Sequence, residues 1–233
     1  MKKALLVALA ALALVVTRAP QSSAGIGICD PKQSVLCVGL GEVYNFEEAS
    51  DTTRFGSYGD AQLQEQDAMD VGTAAGKIGS YSASFSGSNH FHNQQGGPTF
   101  GSGYWTAALW VYPTADGADK GLLSNTSADR SITLDLYWTN SHLYPRFRAL
   151  KEETLAAVSA VGDTYVTKDA WNLVVYTMSM YGDYGQARVC ISVNSQATPA
   201  CTSVTYDLRS SVGGAFDVGR DTLRLEVDRV DQL

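Results

Sequence analysis

The chain has 233 residues, with 24 acidic against 17 basic side chains and a formal charge of −7. So acidic a balance argues against nucleic acid, because a phosphate backbone needs clustered lysine and arginine. The length suffices for one domain with a sizeable core.

The first residues, Met1-Lys2-Lys3, precede an apolar run over 4–16 and the small residues Ser22-Ser23-Ala24. This is the layout of a secretory signal. Thirteen apolar residues are too few to span a bilayer comfortably, and no later run is long enough. Residues 1–24 are therefore expected to be removed and the product secreted, to the extracellular space or the cell surface, with no membrane span. Removal takes Lys2, Lys3 and Arg18 and no acid, so the charge becomes 14 − 24 = −10.

Residues 25–41 read as a leader with a Cys-bounded loop, and 42–233 as the folded domain. Four cysteines remain: Cys29, Cys37, Cys190 and Cys201. In an oxidising compartment an even count suggests disulfides, and four allow three pairings. The local pairing, Cys29–Cys37 with Cys190–Cys201, is preferred, the second bond lying near the open end of a hairpin. Zinc is the rival, but the spacings fit no zinc pattern.

Down the chain, 43–46 and 63–66 read as strands, 72–79 as a loop, and 82–86 alternates as a strand does. Phe91 lies between His90 and His92 on a further strand, the histidines sharing its opposite face. Residues 105–113, Trp-Thr-Ala-Ala-Leu-Trp-Val-Tyr-Pro, are apolar on both faces. That pattern predicts a strand in the middle of a sheet, covered on both sides and ended by Pro113. In 131–138, Ile132, Leu134, Leu136 and Trp138 are predicted to face in, and Thr133, Asp135 and Tyr137 out. A four-residue turn, 139–142, leads to 143–150, and symmetric closure sets Tyr137 opposite Tyr144, Asp135 opposite Arg146 and Thr133 opposite Arg148. Residues 151–160 fit a helical turn, while 158–161 fit a strand equally well. Further strands are expected at 121–124, 171–180, 187–193, 200–206, 216–219 and 223–230. Many short strands with Gly- and Asn-marked turns predict an all-β antiparallel sandwich.

Several segments, in order, resemble the laminin G-like, concanavalin A-like jelly-roll domains of secreted and phage proteins. They are Val43-Tyr-Asn-Phe-Glu-Glu48, Gly76-Lys-Ile-Gly79 leading to Phe85-Ser-Gly87, the 105–113 strand, and Trp171-Asn-Leu-Val-Val175. Val193-Asn194, Phe216-Asp-Val-Gly-Arg220 and Val227-Asp-Arg-Val230 complete the set. The resemblance covers roughly 42–231 and implies a two-sheet jelly roll. It also implies that the first and closing strands pair, which would bring Glu48, Asp51 and Asp228 together as oxygen ligands for Ca2+. Two departures weaken that site: Gly56 stands where the family often has Asp, and Arg229 replaces an acidic residue. Relatives usually continue past the position of Leu233, so the domain is expected to be trimmed there.

For catalysis, Glu226-Val-Asp228-Arg-Val-Asp231 resembles the Glu-x-Asp strand of jelly-roll glucanases, whose carboxylates act as nucleophile and acid/base. In those enzymes the motif sits mid-chain, so a solvated closing strand is the preferred reading. His90 and His92 share a face but show no third ligand, and are read as solvated. The most suggestive ligand surface is Tyr137 and Tyr144 beside Asp135, Arg146 and Arg148, because rings flanked by polar donors stack and hydrogen-bond sugars. Its plain alternative is a cross-strand pair that stabilises the sheet. A second candidate is Tyr181-Gly-Asp-Tyr184, and Asn125-Thr-Ser127 is a glycosylation sequon in a eukaryotic host. The expectation is therefore a secreted recognition domain that is not an enzyme and binds carbohydrate or an extracellular surface component. The alternatives are a structural surface or fibre protein and, third, a jelly-roll glycosidase. Close, buried carboxylates on one sheet face would favour that third reading.

Overall fold

The structure is a computed structural model, and it describes residues 53–55, 62–66, 72–77, 81–85, 90–93, 104–127, 130–150, 157–181, 186–205 and 215–219. The expected signal, the leader with Cys29 and Cys37, and the closing strand over 223–230 lie outside them.

The described residues form fourteen strands: β1 (Thr53–Phe55), β2 (Gln62–Gln66), β3 (Gly72–Ala75), β4 (Tyr81–Ser84), β5 (His90–Asn93), β6 (Tyr104–Val111) and β7 (Lys120–Ser127), followed by β8 (Arg130–Thr139), β9 (His142–Leu150), β10 (Ala157–Val161), β11 (Asn172–Tyr181), β12 (Gln186–Val193), β13 (Ala200–Thr205) and β14 (Ala215–Val218). An eight-stranded sheet runs β1-β2-β5-β14-β7-β8-β9-β10, and a four-stranded sheet runs β13-β12-β11-β6, with β3 and β4 forming a hairpin. Every ladder is antiparallel. The architecture is the all-β sandwich that the strand and turn pattern predicted, consistent with the jelly roll that the resemblance implied.

The core lies between the two sheets. Phe91, Ile132, Leu134, Phe147, Phe216 and Val218 come from the larger sheet, and Val174, Tyr176, Met178, Val189 and Ile191 from the smaller. Period-two alternation explains both sets, since each strand gives every second side chain to the core. Trp105 of β6 reaches across to Phe147, with ring centroids 6.2 Å apart. Gly219 follows β14 at φ 88°, where a side chain would be strained and would strike the Phe85 ring.

Tyr176 crosses the core as well: its O–H donates to the Asp135 carbonyl at 3.0 Å. Burial, and then the Asp135 charge, hold its pKa well above the usual phenol value. Above pH ~10 the unfolded tyrosine loses its proton while the folded one keeps it. The unfolded state then binds fewer protons, and stability falls as pH rises, by up to ~1.4 kcal/mol per pH unit. Tyr176→Phe should flatten that alkaline limb in chemical unfolding measured between pH 8 and pH 11, and an unchanged limb would refute the assignment.

Several expectations are corrected. The 105–113 strand is not covered on both sides: Thr106, Ala108 and Trp110 are exposed, and among the described residues β6 ends the four-stranded sheet. Its second apolar face misled because alanine and aromatic residues also tolerate an exposed face. Residues 72–75, read as loop, pair with β4 as a strand. The 139–142 turn is tighter than expected: Thr139 pairs with His142, and Asn140 and Ser141 alone turn the chain at φ 49° and 62°, a type I′ geometry that matches strand twist. Of the two readings left open at 158–161, strand is the one observed, over Ala157–Val161.

Cys190 and Cys201 are bonded, with Cα atoms 4.0 Å apart. The pair sits beside the β12–β13 turn rather than at the open end of the hairpin, since only Ile191↔Ala200 lies closer to the turn. Asn125 of the sequon is buried and pairs within the sheet, so it is closed to a glycosyltransferase in the folded chain.

Candidate functional site

The face of the eight-stranded sheet turned away from the core is polar. One row across it reads Gln64, His92, Asp217, Ser124, Thr133 and Arg148, each opposite the next. Alternation puts all of them on this face because their neighbours Phe91, Val218 and Leu134 occupy the other. The expectation that Thr133 and Asp135 point to water is corrected: both are 0% exposed, and Ser124, Ser131, His90 and Asp217 are buried with them. Alternation reports which face a residue occupies, and it does not report whether that face is covered.

Asp135 is the hub. Opposite it in the ladder, Arg146 donates from Nε to Oδ1 at 2.9 Å and from Nη2 to Oδ2 at 2.7 Å. Arg148 adds Nη2 to Oδ2 at 2.5 Å. Arg146 also reaches Asp119 Oδ2 at 2.8 Å, while the Trp138 N–H donates to Asp119 Oδ1 at 2.8 Å. Burial works against the Arg146 charge, but hydrogen bonds and attraction from Asp135 and then Asp119 outweigh it and raise the pKa. The bidentate fork fits a carboxylate, which lysine cannot imitate.

The Arg146 guanidinium also lies over the Tyr137 ring, 4.2 Å from its centroid. Tyr137 faces Tyr144 as expected. Beyond them stand two rings outside that expectation. His142 lies 4.1 Å from Tyr165 between centroids, and Tyr144 lies 6.0 Å from Tyr165. Tyr165 is held there because the Val166 N–H donates to the Leu143 carbonyl and the Gly162 N–H to the Pro145 carbonyl. It is 45% exposed. The polar face thus has a buried charged middle and, at its β8–β9 end, an open aromatic platform. The structure brings Asp135, Tyr137, Tyr144, Arg146 and Arg148 together, and makes Asp135 an internal partner of arginines.

Toward the other edge, His90 and His92 lie with Asp217, whose Oδ1 is 2.5 Å from His92 Nδ1 and 4.0 Å from His90 Nε2. The reading of both histidines as solvated is corrected, for His90 is buried and His92 is half-buried. Asp217 was hidden in the Phe216-Asp-Val-Gly219 segment, where one acid between two core residues signals a polar face. The calcium candidates Glu48, Asp51 and Asp228, and the carboxylates Glu226 and Asp231, lie outside the described residues, as does part of 181–184.

No protein-family model matches the chain, and no curated protein does. Among solved structures, the chain is similar to LamAcat from Zobellia galactanivorans at 8% identity and a TM-score of 0.34, over 72% of this chain and 70% of that one. The expectation of a non-catalytic recognition domain, and of no enzyme, is corrected on that finding, the structure found being by its name that of a catalytic domain. A likeness of that score does not itself argue for an activity.

Proposed function

We propose that the chain acts on carbohydrate as a glycoside-cleaving jelly roll, with sugar entering over the aromatic end of the polar sheet face. The observation that carries this reading is the joining of an accessible platform, Tyr144, Tyr165 and His142, to a buried row of charged and hydroxyl groups. Sugar rings bury their C–H faces on aromatic rings and satisfy their hydroxyls with fixed polar groups, so a site for them needs both.

Asp135, clamped by two arginines, positions the arginines and is not the acid/base. The proposed reacting carboxylates are Glu226 and Asp228, whose spacing puts both on one face of an extended segment. The Cys190–Cys201 bond supports work in an oxidising compartment. The calcium expectation, with Glu48, Asp51 and Asp228 as hard oxygen ligands, is the alternative use of Asp228, since a carboxylate held on the ion is not free to react.

The test is release of reducing ends from a panel of soluble polysaccharides by the oxidised protein, with calcium and with chelator, beside retention on gels containing the same polymers. Glu226→Gln is expected to abolish release and keep retention, while Tyr144→Ala with Tyr165→Ala weakens retention about tenfold or more, as loss of two stacking faces predicts. Neither release nor retention on any polymer would sink the reading.

A further inference from the structure

We propose that His90, His92 and Asp217 form a binding site for a transition-metal dication, Zn2+ above all, which clips β5 to β14. The three residues each offer one ligand atom, and these atoms lie within 4.8 Å of one another. The sequence dictates the arrangement. A His-x-His pair on a strand places both rings on one face, and the antiparallel register sets Asp217 directly opposite His92.

Metal–ligand lengths of about 2.0–2.2 Å at tetrahedral angles put neighbouring ligand atoms about 3.3 Å apart. The separations to Asp217 Oδ1, 2.5 Å from His92 and 4.0 Å from His90, straddle that value. With all three ligand atoms within 4.8 Å of one another, side-chain movements of about 1–1.5 Å bring them to that spacing. Two imidazoles and one carboxylate suit zinc and its neighbours, whereas Ca2+ and Mg2+ need more oxygen ligands.

One further observation points to a ligand. Ser124, the ladder partner of Asp217 on β7, is 1% exposed, and its hydroxyl has no hydrogen-bond partner. A buried hydroxyl requires a partner, and a water held by the ion is the kind it lacks. His92, with 18% of its side chain exposed, marks the side from which an ion enters. The site joins residues 125 apart in sequence, so occupancy would tie an early strand to a late one and raise the thermal midpoint.

The experiment is calorimetric titration of Zn2+ into the chelator-treated, dialysed full chain, with Co2+ absorption reporting imidazole coordination and thermal melts run in parallel. Binding of about one Zn2+ per chain is expected, with a melting midpoint that rises with Zn2+. His92→Gln and Asp217→Asn should each weaken binding by more than the 10–100-fold that losing an outer-shell partner costs, and Ser124→Ala by no more than that range. His92→Gln alters a partly exposed residue and Asp217→Asn keeps the shape, and circular dichroism verifies that both fold. No binding by the parent chain, or undiminished binding by both folded variants, overturns the proposal. The readout involves no sugar, so it stands or falls separately from the carbohydrate reading.

Discussion

Asp135→Ala is expected to remove about 3–5 kcal/mol of folding stability, the usual cost of breaking a buried ion pair and stranding its partners. Asp135 is fully buried and receives both Arg146 and Arg148. Without it Arg148 loses its buried carboxylate partner, and among the described residues Arg146 keeps Asp119. Arg146→Met should cost less, because Arg148 still pairs with Asp135 and Asp119 is partly open to water. The ordering matters more than the size. Urea unfolding of the oxidised protein measures it, and an Asp135→Ala loss below 1 kcal/mol would show that the network is not the hub of this face.

Phe147→Ala is the second large effect, about 3–5 kcal/mol, from lost transfer energy together with the cavity left behind. Phe147 is fully buried on β9, with Leu134 opposite it on β8 and Ala160 opposite it on β10. It also takes the Trp105 ring from the other sheet, so its removal unseats the contact between the layers. For a chain of this length the loss corresponds to a fall in thermal midpoint of about 10 °C. Trp105→Ala in the same background should add less than its single effect, because the two rings share one contact. Full additivity would contradict the packing described.

Much of the fold was legible because alternation is a local property. The faces of β8 and β9, the pairs Tyr137/Tyr144 and Asp135/Arg146, and the Cys190–Cys201 bond all follow from turn position and period two. What failed was whatever depends on distant chain. The 105–113 pattern does not say which strands flank β6, and the polarity of Thr133 and Asp135 does not say that their face is covered. The candidate site divided in the same way. Its β8–β9 half is a hairpin and was readable, whereas Tyr165 joins it through hydrogen bonds to β9, and Asp217 joins His90 and His92 across 125 residues. A lone aspartate in an apolar segment was the available sign.

The central claim is that function resides on the polar face of the eight-stranded sheet, entered at its aromatic end. Amide hydrogen exchange, with and without the polysaccharide that the protein retains best, tests this most directly. Added protection over 142–146 and 163–166 is the predicted result. Protection confined to the exposed face of β6, around Tyr104 and Trp110, would contradict the account.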